Sequence, residues 1–90
     1  MATIEVTRID PKTFRVSVRE AKSTTVHEVT VTPEQASEYG GEADPVRLVK
    51  AAFEFLLERE PKESILSTFE LPVIERYFRE FPAEIRRRLG

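Results

Sequence analysis

The stretch from Pro45 to Glu60, PVRLVKAAFEFLLERE, carries more apolar surface than a one-sided helix can use. At 100° per residue, Val46, Leu48, Val49, Ala52, Phe53, Phe55, Leu56 and Leu57 spread over about 200° of the circumference, against roughly 100° for an ordinary surface helix. Arg47, Lys50, Glu54 and Glu58 fill the remainder. One neighbour cannot cover such an arc, so the helix has to lie between two. The first is a sheet built from the residues before it. The second is either the C-terminal helices or another copy of the chain.

The sheet follows from alternation. Ile4 and Val6 fall on one face of a first strand, with Thr3, Glu5 and Thr7 on the other, which is the period of a half-buried strand. Asp10 and Pro11 in DPKT suit a type I turn, and Phe14, Val16 and Val18 then share one face of a second strand, as a hairpin requires. A third strand is expected from Thr25 to Val31. There Val26 falls on the opposite face from Val29 and Val31, a mismatch that predicts either a bulge or a different register.

Helical punctuation begins at Thr32. Thr32, Pro33 and Gln35 form a capping box with proline at the first helical position, and Gly40 and Gly41 stop that helix after about two turns. Asp44 and Pro45 start the long helix by the same device, and Pro61 ends it. A short helix bearing Ile65 and Leu66 is expected next, then a turn near Phe69 to Leu71. Pro72 opens a further helix with Val73, Ile74, Tyr77, Phe78 and Phe81 at helical spacing. Pro82 is expected to break or kink it at Phe81. A last segment, Ala83 to Leu89, carries Ile85 and Leu89 inward. The expected fold class is α+β: a three-stranded, mainly antiparallel sheet followed by a long amphipathic helix and short C-terminal helices, in βββαααα order. It is a single domain over residues 1–90, with a sheet part (1–32) and a helical part (33–90).

Composition narrows the functions. A chain of 90 residues has room for one small core, and its 40% apolar and 33% charged content belongs to a folded domain. Net charge is −2, from 14 basic and 16 acidic residues, so no field of one sign gathers polyanions. Cysteine is absent, which removes disulfides and thiolate sites and fits a reducing, cytoplasmic address. The N-terminus lacks the continuous apolar core of a signal peptide, and no run reaches the length of a membrane span.

Chemistry-bearing patterns are sparse. His27 is the lone histidine, so imidazole pairs for metal binding cannot form, and no nucleophile stands beside it in the sequence. The glycines form no phosphate loop; no cofactor is expected. Glu54, Glu58, Glu63, Glu75, Glu80 and Glu84 sit among arginines and lysines at helical spacing, the pattern of a solvated charged face. The outer face of the hairpin lacks the aromatic residues of a single-strand binding platform, and cross-strand pairing of Glu5 with an arginine accounts for its charges. Arg86, Arg87 and Arg88 give the cationic last turn that a helix C-terminus favours.

Residues 62–81 also resemble the cadence of helix-turn-helix DNA readers: an aliphatic pair, a tight turn, a second apolar-patterned helix. Nucleic-acid contacts would then fall to Arg76, Arg79, Arg86, Arg87 and Arg88. Glu75 and Glu80 on the reading helix repel phosphates, so nucleic acid is not the expected partner.

Over its whole length, and above all in FEFLLEREPKESILSTFELPVIERYF, the chain resembles a group of small bacterial proteins that join an N-terminal hairpin to this helical tail. That resemblance implies kinship and assigns no activity. The order of small sheet and amphipathic helix is also similar to antitoxin modules of the HicB type, except that Pro61 leads into further helices where those modules place a strand. The expected function is therefore a non-enzymatic interaction module that self-associates or binds a protein partner, through Phe53, Phe55, Leu57, Tyr77, Phe78 and Phe81. The alternative is the DNA-binding or antitoxin-like regulator using residues 62–81.

Overall fold

The alternating runs form three eight-residue strands joined by two-residue turns. The computed structural model, which describes residues 2–90, places β1 at Thr3–Asp10, β2 at Thr13–Glu20 and β3 at Ser23–Thr30. Then come α1 (Pro33–Gly40), α2 (Pro45–Leu57), a single 3-10 turn at Lys62–Ser64, β4 (Thr68–Glu70), α3 (Val73–Tyr77) and α4 (Phe81–Leu89). The sheet order is β1-β2-β3-β4. Its first three strands are antiparallel, and β4 runs parallel to β3.

The architecture is α+β, but the sheet is mixed and four-stranded where three strands were expected. The added strand stands where a turn near Phe69 to Leu71 was expected, and the short helix expected before it is reduced to the 3-10 turn, leaving Ile65 and Leu66 outside it. Phe69 lies opposite Val29, and the junction is closed by Glu28 N–H to the Ser67 carbonyl (2.7 Å) and Leu71 N–H to the Thr30 carbonyl (3.0 Å). A parallel neighbour needs a long crossover, which α1 and α2 provide. A strand thus does follow the long helix, at the place where Pro61 was expected to lead only into helices.

Two further expectations are corrected. β3 runs in unbroken register from Thr13↔Thr30 to Glu20↔Ser23, so it has no bulge. His27 occupies the core-facing position opposite Val16, Val29 and Val31 are buried beside it, and Val26 faces outward. The sheet's irregularity lies instead in β1, between Arg8 and Asp10. Glu5 faces Ser17, while Arg15 and Arg19 face Thr7 and Thr3. On its other side Arg15 faces Glu28.

The helical starts follow their caps. Thr32 Oγ1 accepts from Gln35 N–H (3.2 Å) while Gln35 Oε1 accepts from Thr32 N–H (3.1 Å), and Asp44 accepts from Val46 N–H (2.7 Å). Pro82 sits in the first turn of α4 and begins that helix instead of breaking one. The chain turns out of α3 at Phe78, which is extended (φ −133°, ψ 95°).

The wide apolar arc of α2 is covered within the chain. The Phe53 ring meets His27 of β3 (5.2 Å between centroids) and Phe69 of β4 (6.1 Å). The Phe55 ring meets Phe78 (5.8 Å) and Phe81 (5.3 Å) edge-on. Phe14, Phe53, Phe55 and Phe81 are all fully buried, each worth about 1.5–3 kcal/mol of transfer free energy.

Candidate docking groove

Where α2 ends, the chain makes a wall of side chains that the core does not close over. Pro61 is extended (φ −68°, ψ 156°), and the 3-10 turn after it is held by Ser64 N–H to the Pro61 carbonyl (2.9 Å) and Ile65 N–H to the Lys62 carbonyl (3.2 Å). Lys62 anchors this turn to the sheet. Its side chain is only 5% exposed, yet its ammonium reaches Glu63 Oε2 at 2.8 Å and Glu20 Oε1, at the end of β2, at 3.6 Å. The Glu63 hydrogen bond raises the Lys62 pKa, and the same bond lowers that of Glu63.

Leu66 is pinned by its backbone. His27, 2% exposed, has Nδ1 at 2.8 Å from the Leu66 carbonyl and Nε2 at 2.9 Å from Thr25 Oγ1. A carbonyl only accepts, so Nδ1 carries the hydrogen, and in the neutral ring Nε2 accepts from the Thr25 hydroxyl. The lone histidine therefore acts as a tether between β3 and the strand-entry segment, with both nitrogens engaged. Leu66 itself turns its side chain outward and is 50% exposed.

Between this segment and α3 runs a groove of about 180 Å3. Leu56, Ile65 and Phe69 line it from the core side, Val73, Ile74 and Phe78 from the helix, and Leu66 and Tyr77 stand at its rim. Tyr77 is 71% exposed. Glu60 and Ser64 supply the polar part of the lining. Glu60 is half-buried and has no ion-pair partner among the described residues.

The residues expected to form a partner surface separate into two groups. Phe53, Phe55 and Phe81 lie inside the chain's own core, and Leu57 is half-buried against it. Tyr77 and Phe78 line the groove. Leu66 and Glu60 complete it and were not singled out. Leu66 reads as an apolar contact of a short helix that shrinks to the 3-10 turn at Lys62–Ser64, and Glu60 only as the end of the long helix.

The candidate nucleic-acid contacts are dispersed. Arg88 bonds Glu58 Oε1 (2.6 Å) and lies 3.8 Å from Glu84; Arg87 bonds Glu84 (2.6 Å); Arg86 reaches the Glu38 carbonyl (3.5 Å). Arg76 and Arg79 are exposed and form no ion pair among the described residues. The unforeseen cation is Arg59, whose guanidinium stacks 3.7 Å above the Phe55 ring and bonds Glu80 (3.3 Å). Its position one helical turn after Phe55 was the available signal. The Arg88 hydrogen bond holds Glu58 below the usual carboxylate range, and Glu58 raises Arg88 in turn.

A second hollow opens where α1 and the end of α4 meet, lined by Arg47 and Arg86 but equally by Glu38 and Glu42, so it presents no single sign of charge. Among the described residues no three His, Asp or Glu side chains gather as metal ligands, and no helix is long and apolar enough to cross a membrane. Comparison of the chain with family models, with curated proteins and with solved structures finds no match.

Proposed function

We propose that the protein is a non-enzymatic interaction module that docks a segment of a partner protein in the groove between the 3-10 turn, β4 and α3. The observation that carries this reading is the pairing of a largely exposed Tyr77 with a half-exposed Leu66 across an apolar groove. Isolated exposed apolar side chains are ordinary, whereas apolar side chains around a concavity mark binding surfaces. Tyrosine suits such a rim, because it offers a large apolar face at the loss of only two side-chain torsions. The groove is also held against the sheet: His27 bonds the Leu66 carbonyl from below, and Lys62 ties its entry turn to Glu20.

The test is site-specific photo-crosslinking in cells, with a benzoylphenylalanine placed at position 77 or, as a control, at position 24 on the outer face of β3. A discrete protein adduct is expected from position 77 and none from position 24. Equal labelling at both positions, or none at position 77, counts against docking at the groove.

A further inference from the structure

We propose that the groove selects a protein segment presenting one large apolar side chain with a lysine or arginine close beside it. This deepens the docking reading above and rests on it. Two observations carry it, one of volume and one of charge.

An apolar cavity of about 150 Å3 is filled by one benzene ring. The groove, at about 180 Å3, therefore matches a single Phe-, Leu- or Ile-sized side chain. The occupant is a short segment with one anchor.

Charge then chooses what flanks the anchor. The neighbouring carboxylates already have cations: Glu63 has Lys62, Glu58 has Arg59 and Arg88, and Glu80 has Arg59. Glu75 accepts the Tyr39 hydroxyl (2.8 Å). Glu60 alone lines the groove, half-buried and without an ion-pair partner among the described residues. Covering it with an uncharged segment removes a carboxylate from water with nothing in return, and an acidic segment adds repulsion. A cation beside the anchor supplies the missing charge-assisted hydrogen bond and turns an unfavourable desolvation into selectivity. Arg76 and Arg79 are on the surface but not in the lining, so they do not satisfy Glu60.

The experiment selects a phage-displayed library of random linear peptides on the full chain, then measures the recovered peptides with a fluorescent label by anisotropy. Recovered sequences should share one large apolar residue within a few positions of Lys or Arg. Glu60→Gln should weaken them at least about fivefold, and Glu60→Lys should shift a fresh selection toward acidic flanks. Neither substitution removes core volume, and thermal melting confirms folding. Peptides whose binding is lost in Tyr77→Asp but indifferent to Glu60→Gln overturn the charge rule and leave docking intact. If no recovered peptide is sensitive to Tyr77→Asp, docking fails as well. A dimer in sedimentation that Tyr77→Asp dissolves assigns the groove to a second copy of the chain and overturns the peptide proposal.

Discussion

Ala21 adopts φ +50°, the only non-glycine positive value in the described chain, at the first position of the β2–β3 turn. Positive φ at that position alone is the type II′ arrangement, which matches strand twist and strongly favours glycine. Alanine there carries a Cβ close to a backbone carbonyl, at a cost of about 1–2 kcal/mol. Ala21→Gly is expected to stabilise the protein by about 0.5–1 kcal/mol after the added flexibility of the unfolded chain is deducted. The melting temperature should then rise by about 4 °C, and an unchanged or lower value would show that the turn is not strained. His27 is the other residue whose role exceeds its appearance. His27→Phe keeps a ring against Phe53 but leaves the Leu66 carbonyl and Thr25 hydroxyl without their partner. A loss of about 1–3 kcal/mol follows by chemical denaturation. Hydropathy could not place this residue: Val26 is the more apolar neighbour, yet pairing with β2 puts His27 on the core face, and the ring's two hydrogen bonds are what make burial tolerable. By contrast Asp10, with its carboxylate 3.0 Å from Lys12 N–H, was legible because its function is purely local.

Elements were legible to the extent that local chemistry determined them. The alternation of β1 and β2, the Thr32–Gln35 box and the Asp44–Pro45 start all act within a few residues, and each forms as expected. β4 was hidden because three residues cannot display a period, and its reason to be extended lies in β3, some forty residues away. Pro82 was ambiguous for a related reason: proline both breaks and begins helices, and only the extended Phe78 before it decides between the two. Contacts between elements are harder still to read, and the Tyr39–Glu75 bond between α1 and α3 is one with a measurable signature. Burial first, then the hydrogen bond to Glu75, pushes the Tyr39 pKa from 10.0 up to about 12. A tyrosine raised in the folded state stays neutral there while the unfolded chain ionises. Its stabilisation is therefore complete below pH 10 and lost between pH 10 and about 12. Unfolding free energies measured across that range should fall more steeply for the native sequence than for Tyr39→Phe. Parallel curves would show that the hydroxyl is not held as described. On the acid side the sign reverses for Glu58, whose contribution is present above its ordinary value of 4.5 and lost as pH drops through the lowered one. Arg88→Gln should flatten that limb.

Taken as a whole, the molecule is an antiparallel meander of local contacts whose core is shared with the helices through residues such as Phe55, Phe81 and Ile85. The segment between α2 and α3, by contrast, is fastened to the sheet at a few points. β2 is hydrogen-bonded on both sides, whereas β4 is a three-residue parallel strand and α3 a five-residue helix. The fastenings are β4 itself, the His27–Leu66 bond and the Lys62 ion pairs. Short elements with few buried contacts open at lower free energy than a core strand, so the amides of Glu28 and Leu71, which donate across the β3–β4 junction, should exchange faster than those of β2. This is the level at which Lys62 matters most. Its pKa is raised chiefly by the Glu63 hydrogen bond, so its contribution is complete below its ordinary 10.5 and disappears only as pH climbs through the raised folded value. Lys62→Met keeps the buried stem but deletes the ammonium that joins the 3-10 turn to Glu20. Exchange at Glu28 and Leu71 should accelerate severalfold while β2 is little changed, because the meander does not depend on that bridge. Uniform acceleration would mean instead that the two parts open together, and the groove would then be no more mobile than the sheet beneath it. If local opening is observed, a peptide that occupies the groove should slow Glu28 and Leu71 selectively. The same amides would then report both the weak fastening and its relief by a partner.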